Sequence, residues 1–166
     1  RHWSPISFVK HGRTNSRRSM TEPSKLEQGS PLPSAGQLYS VTKRIEFCYG
    51  HRLLEHAGLC KHPHGHNAVV EIEVRSSVLD AQDMVCDFGD ITRVVQTWVD
   101  RHLDHKMILR RDDPLVAALI GLGEPVFVID ANPTAEHIAK LIFEEARALG
   151  LAVSRVTVWE TSSSSA

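Results

Sequence analysis

Apolar and polar positions begin to alternate near Gln37, and from there the pattern can be followed almost to the end of the chain. In Leu38 to Tyr49, Val41, Ile45, Phe47 and Tyr49 share one parity, broken only by Lys43, and His51 continues it. That is the period of a half-buried strand. In His66 to Ser76, Ala68, Val70, Ile72 and Val74 face one way, while Asn67, Glu71, Glu73 and Arg75 face the other. A strand that starts at His64 sends the imidazoles of His64 and His66 out of one face. The period then changes. Ile91, Val94, Val95, Trp98, Val99 and His102 form a helical stripe, with Asp87 or Asp90 available as its cap. Residues 103–113 read as a polar connector, and Pro114 to Leu122 as a short helix ended by Gly121 and Gly123. Pro125 to Asp130 is a short apolar strand. A second long helix starts at Asn132-Pro133-Thr134, with Pro in its first turn, and stops at Gly150. Ile138, Leu141, Ile142, Glu145 and Leu149 lie along one side of it. Val153 to Glu160 is the last strand. This order of elements predicts an α+β domain with an antiparallel sheet.

Composition separates the first residues from the rest. Residues 1–36 are rich in Ser, Pro, Arg and Gly, carry six Lys/Arg against two Asp/Glu, and show no sustained period. Such a segment buries too little apolar surface to offset the entropy of ordering it, so a disordered extension is expected. It lacks the apolar core of a secretory signal, and the first Met is Met20. A dispensable extension, non-native or upstream of the true start, is the expectation. The domain is expected over residues 37–161, with a disordered tail over 162–166. The whole chain of 166 residues is net −1, so the remainder after residue 36 is net −5. An acidic folded part argues against nucleic acid as a partner. No apolar run approaches the roughly 20 residues of a membrane span, so no membrane partner is expected. Three cysteines are too few for a disulfide scaffold and point to a reducing, cytoplasmic setting.

Histidine changes the picture most. Seven of the ten lie between positions 51 and 105. His64-Gly65-His66 offers two imidazoles to one ion, and His51, in matching parity at the end of the preceding strand, offers a third. Three histidines with an open position describe a zinc site, and a pair of exposed histidines at a strand start is the plainer alternative. His56 and His62 are rival ligands from the loop. Cys60, beside Lys61 and several imidazoles, reads as a base or nucleophile, a fourth zinc ligand or an inert thiol. Cys48 and Cys86 read as buried small hydrophobes. Asp104-His105 is either an acid/base pair or part of a solvated connector. His102 reads as a surface or cap residue. Glu160 either solubilises a strand end or accepts two N–H donors from a guanidine-like ligand edge.

Taken in order, Phe47-x-x-x-His51-Arg52-Leu53, Cys60-x-x-x-His64-Gly65-His66-Asn67, Met84-Val85-x-Asp87-Phe88, Leu103-Asp104-His105, Asn132-Pro133-Thr134-x-Glu136 and Glu160-Thr161 resemble the 6-pyruvoyltetrahydropterin synthase / 6-carboxytetrahydropterin synthase family. The resemblance implies the T-fold (tunnelling fold): an antiparallel four-stranded sheet with two main helices between strands 2 and 3, assembled as a homo-oligomer, a trimer or hexamer. It implies Zn2+ on His51, His64 and His66, catalysis by Cys60, Asp104 and His105, and Glu160 as the anchor of a pterin ring. The implied substrate is a pterin triphosphate. The four-residue offset from Cys60 to His64 resembles the 6-carboxytetrahydropterin enzymes of the 7-deazapurine (queuosine) pathway. These convert 7,8-dihydroneopterin triphosphate to 6-carboxy-5,6,7,8-tetrahydropterin, releasing acetaldehyde and triphosphate. The alternatives are a 6-pyruvoyltetrahydropterin synthase and a non-catalytic zinc- or pterin-binding module. Two features depart from the family. Cys48-Tyr49-Gly50 stands where small residues are usual before the first histidine, and the loop from His51 to Cys60 is short. The triphosphate contacts are not assigned by the resemblance; Lys61, Lys106, Arg110 and Arg111 are candidates by charge alone.

Overall fold

The computed structural model describes residues 36–166, and the extension expected over residues 1–36 lies outside the described residues except for Gly36. Strands β1 (Tyr39–His51) and β2 (His64–Ser76) form the centre. They pair antiparallel over their whole length, from Tyr39 opposite Ser76 to His51 opposite His64. The first helical run, α1, joins Phe88–Ile91, a wider π-type segment Thr92–Gln96 and Thr97–His102. It is followed by β3 (Lys106–Arg110), α2 (Pro114–Gly121), β4 (Val126–Ile129), α3 (Ala135–Ala148), β5 (Val153–Thr161) and β6 (Ser164–Ser165). The sheet order is β4-β3-β1-β2-β5-β6.

The α+β class holds, but the sheet is larger and less uniform than four antiparallel strands. β3 runs parallel to β1 at Tyr49–His51, and β4 runs parallel to β3. Only α1 therefore lies between the second and third strands, while α3 lies between β4 and β5. The polar connector expected at 103–113 contains β3. Its apolar core is only Met107-Ile108-Leu109, flanked by charge, and Ile108 and Leu109 are both fully buried. A strand covered on both faces has no alternation to reveal it. The tail expected to be disordered also folds back in part: Ser164–Ser165 pairs with β5, and Val158 and Ala166 exchange backbone hydrogen bonds of 2.8 and 3.0 Å.

The helices cover one face of this sheet. Ile45, Phe47, Tyr49, Val70 and Ile72 pack there against Ile91, Val95 and Val99 of α1 and Ile138, Ile142 and Ala146 of α3. Replacing one of these side chains, such as Ile142, by Ala costs about 2–5 kcal/mol. Two predicted helix starts are capped as the sequence suggests in kind. Asp87 accepts the Gly89 N–H at 2.6 Å, and Thr134 accepts the His137 N–H. Pro133 lies just before that cap rather than inside the first turn, and Leu149 is exposed rather than part of the buried stripe. Among the described residues, no helix is long and apolar enough to cross a membrane.

Candidate metal and pterin site

The register of β1 and β2 builds the centre of the site. His51 faces His64 directly, and His66 faces Tyr49, one diagonal away. All three histidines have the parity of the core residues, so their rings leave the sheet on the helix-covered side. Gly65 permits the close approach, because a Cβ there would lie 2.9 Å from the Tyr49 carbonyl oxygen.

The outer nitrogens of two rings are committed. His51 Nδ1–H donates to the Pro133 carbonyl at 2.7 Å, and His64 Nδ1–H donates to the His62 carbonyl at 2.8 Å. Their Nε2 atoms are therefore bare acceptors. These lie 3.0 Å apart, and the Nε2 of His66 is 3.2 Å from that of His51. Lone pairs so close repel unless a proton or cation lies among them, and converging Nε2 atoms with externally anchored Nδ1–H groups are the donor set of a zinc-type ion. Burial lowers the His51 pKa, against the pull of the Pro133 carbonyl and Glu160, which favours the neutral, metal-binding ring. The Pro133 carbonyl is itself held. The Asn132 side chain accepts the Leu54 N–H and donates to the Leu54 carbonyl, both at 2.9 Å, tying the loop after β1 to the start of α3.

Glu160 enters from β5. Its Oε1 is 3.8 Å from His51 Nε2 and accepts the Tyr49 hydroxyl at 2.6 Å. Burial, and then the neighbouring Glu160 carboxylate, push the Tyr49 phenol well above its ordinary range, so it stays a donor. Its ring stacks on Phe47 at 5.4 Å and meets His51 edge-on at 5.2 Å.

Asp104 and His105 form a second group. Asp104 Oδ1 accepts the Cys48 N–H at 2.8 Å, and Oδ2 accepts His105 Nδ1–H at 2.7 Å. Burial would raise the Asp104 carboxyl, but the Cys48 N–H, His105 and Lys106 together hold it below the usual range. The His105 ring is largely exposed and borders a cleft of about 740 Å3, which Cys48, Asn67, His66 and Lys106 also line.

Geometry and sequence relatives agree. The sequence profile of the 6-pyruvoyl tetrahydropterin synthase family matches residues 40–166. The chain belongs to that family. Among its relatives, the 6-carboxy-5,6,7,8-tetrahydropterin synthase of Rickettsia conorii is 41% identical over 104 residues, 61% of this chain and 75% of the relative. The probable 6-carboxy-5,6,7,8-tetrahydropterin synthase of Halobacterium salinarum is 38% identical over 117 residues, 69% of this chain and 74% of the relative. An uncharacterized protein from Wolinella succinogenes superposes with a TM-score of 0.67 at 27% identity, covering 78% of this chain and 97% of its own. The 6-pyruvoyl tetrahydropterin synthase of Caenorhabditis elegans, at 21% identity, covers 78% of this chain and 94% of its own with a TM-score of 0.57, and supports the fold. The fold is the T-fold, with two more strands than the sequence pattern reveals.

Within this family member, His51, His64 and His66 come together, Glu160 joins them, and Asp104 pairs with His105. Cys60 does not join either group. It lies half-buried in a single 3-10 turn, Leu59–Lys61. Of the other histidines, His62 in the loop contributes its carbonyl to His64, and His102 at the end of α1 donates its Nδ1–H to the Trp98 carbonyl at 2.9 Å, a local helix contact. Arg110 and Arg111 pair with Asp112 and Asp130 at 2.6 Å. Cys48 is not a buried hydrophobe: it is half-buried and its thiol donates to Asn67 Oδ1 at 3.0 Å. Pro133, Asn132 and Tyr49 stand in motifs or departures that the sequence reading noted, but it gave none of them these contacts. Their signal is the Asn132-Pro133-Thr134 motif and the out-of-place Tyr49, but what each touches is a long-range contact.

Proposed function

We propose that the chain is a zinc-dependent lyase, a 6-carboxy-5,6,7,8-tetrahydropterin synthase. It converts 7,8-dihydroneopterin triphosphate to 6-carboxy-5,6,7,8-tetrahydropterin with release of acetaldehyde and triphosphate, in a cytoplasmic 7-deazapurine (queuosine) pathway. The observation that carries this reading is the convergence of three imidazoles, two of them anchored through Nδ1, beside the buried Tyr49 and its partner Glu160. The relatives that bear this name at about 40% identity support it.

His51, His64 and His66 hold the zinc. Bound there, zinc acts as a Lewis acid toward the hydroxyl-bearing side chain of the substrate. Glu160 accepts the N–H donors of the pterin's amino-pyrimidine edge, and Tyr49 keeps the carboxylate aimed, so the ring is fixed at a set distance from the histidines. Asp104 holds the proton on His105 Nδ1, which leaves Nε2 free to take or give a proton. Cys60 is the second acid/base group. Asp104 and His105 stand beside Cys48 and Asn67, whose parity is opposite to that of the histidines. A homo-oligomer, a trimer or hexamer, brings such separated groups to one substrate across a subunit boundary.

The test is incubation of the zinc-loaded protein with dihydroneopterin triphosphate, followed by mass spectrometry. Carboxytetrahydropterin and acetaldehyde are expected. Pyruvoyltetrahydropterin as the product would favour the activity after which the matching family profile is named. No turnover, with Cys60→Ala indistinguishable from the unaltered protein, would overturn the enzymatic reading and leave a binding module.

A further inference from the structure

We propose that Cys48, Asp104 and His105 form a second metal site, for a thiophilic divalent ion of the zinc class, separate from the three histidines. Each of these residues offers one ligand atom, and the three atoms all lie within 4.8 Å of one another. Cys48 is not one of the motif positions that carry the family resemblance.

The backbone presets the cluster. The Cys48 N–H donates to Asp104 Oδ1 at 2.8 Å, and the His105 N–H donates back to the Cys48 carbonyl at 2.7 Å. His105 takes a left-handed φ of 55°, which turns the chain sharply at the end of α1 and sets its ring beside β1. Recruiting the side chains exchanges two contacts for metal bonds: the weak Cys48 thiol bond to Asn67, and the His105 Nδ1–H bond to Asp104, whose proton leaves or moves to the other ring nitrogen as the ion takes its place. The His105 ring is largely exposed, so it can turn toward an ion.

The donor set selects the ion. A thiolate and an imidazole exclude magnesium and calcium, which want oxygen ligands throughout. Sulfur, nitrogen and one carboxylate oxygen suit zinc, with thiolate and carboxylate together balancing its charge. The thiol proton is released on binding. Cys48 and His105 both line the 740 Å3 cleft, so further coordination positions open toward it.

Occupation would have a consequence that rests on the proposed role of Asp104 and His105 in proton transfer. An ion on His105 and Asp104 ends that transfer, so zinc beyond the first equivalent is inhibitory. The metal-binding claim itself does not depend on that role.

Cobalt(II) titration of the metal-stripped full chain reads the site directly. The first equivalent fills the histidines and gives visible d–d bands alone. The second adds a near-ultraviolet sulfur-to-cobalt charge-transfer band, which an all-histidine site cannot produce. Cys48→Ser and Cys48→Ala should lose that band and the second bound ion while keeping the first-equivalent spectrum, which also reports that they are folded. Cys60→Ser should keep both. Absence of a charge-transfer band in the unaltered protein, or its loss in Cys60→Ser rather than in the Cys48 variants, would overturn the proposal. In turnover assays, excess zinc should inhibit the unaltered protein and spare Cys48→Ser. A charge-transfer band in a protein with no turnover would refute the enzymatic reading and leave the second site standing.

Discussion

Single side chains decide whether this site is a metal centre or a cluster of histidines. Each imidazole is held by a different device: His51 by the Pro133 carbonyl, His64 by the His62 carbonyl, and His66 by its strand register. Removing any one would leave two of the three proposed ligands, so His51→Ala, His64→Ala and His66→Ala should each lower bound zinc to well under one ion per chain. Elemental analysis after dialysis checks this. Tyr49 has a subtler role. Tyr49→Phe keeps the ring and its stacking on Phe47 but removes the hydroxyl that aims Glu160. A hydrogen bond to a charged group contributes about 1.5–3 kcal/mol, so the pterin KM should rise roughly tenfold or more with bound zinc unchanged. An unchanged KM would show that Glu160 is positioned without it. The histidine pattern was readable in advance because parity on a strand is a local property. The Tyr49–Glu160 bond was not, since it joins residues 111 positions apart.

At the scale of elements, the end of β1 is fastened to the start of α2. Arg52 donates through Nε to Asp113 Oδ2 at 2.7 Å and through its terminal nitrogen to Oδ1, and Asp113 also caps α2 through the Leu115 N–H at 2.8 Å. Asp113 is buried. The Arg52 hydrogen bonds hold its carboxyl below the ordinary range, against the effect of burial. A carboxyl depressed on folding adds stability that is complete above its unfolded pKa of about 3.9 and is lost as pH falls through the folded value. Thermal melts should therefore fall off below about pH 4. Asp113→Asn keeps a capping side chain but loses the ion pair, so it should cost roughly 2 kcal/mol at neutral pH and flatten that acid slope. A variant with the same acid slope would place the titrating group elsewhere. Gly65 sets a steric limit of a similar kind. Gly65→Ala should disturb the β1–β2 pairing at His51–His64 and weaken zinc binding, because the obstructing atom is the Tyr49 backbone oxygen and not a flexible side chain. The missed strand β3 belongs to this scale too. Elements were legible where burial is one-sided, as in β2 and α1, and illegible where it is two-sided, as in Ile108-Leu109.

Over the whole molecule, a metal held by the three histidines would link β1 to β2 and, through Pro133 and Asn132, to the start of α3. A ligand that binds only the folded state adds stability by mass action. Chelation should lower Tm, and zinc should restore it, with the shift lost in His64→Ala; differential scanning calorimetry reads this. Removing residues 1–36 should leave zinc content and turnover unchanged, because the sheet, the core and the histidine site all lie within residues 39–166. The sequence by itself determined the α+β class, the faces of β1, β2, α1 and α3, and the set of chemistry-bearing residues, because those follow from periods of two and 3.6 and from residue type. Only the tertiary structure decided how the groups divide. It placed His51 opposite His64, bound Tyr49 to Glu160, left Cys60 apart in its turn, and set Cys48 beside Asp104 and His105. Those outcomes rest on strand register and on loops meeting across 50 or more positions, such as Cys48 with Asp104, and no local pattern encodes which distant backbone will supply a partner.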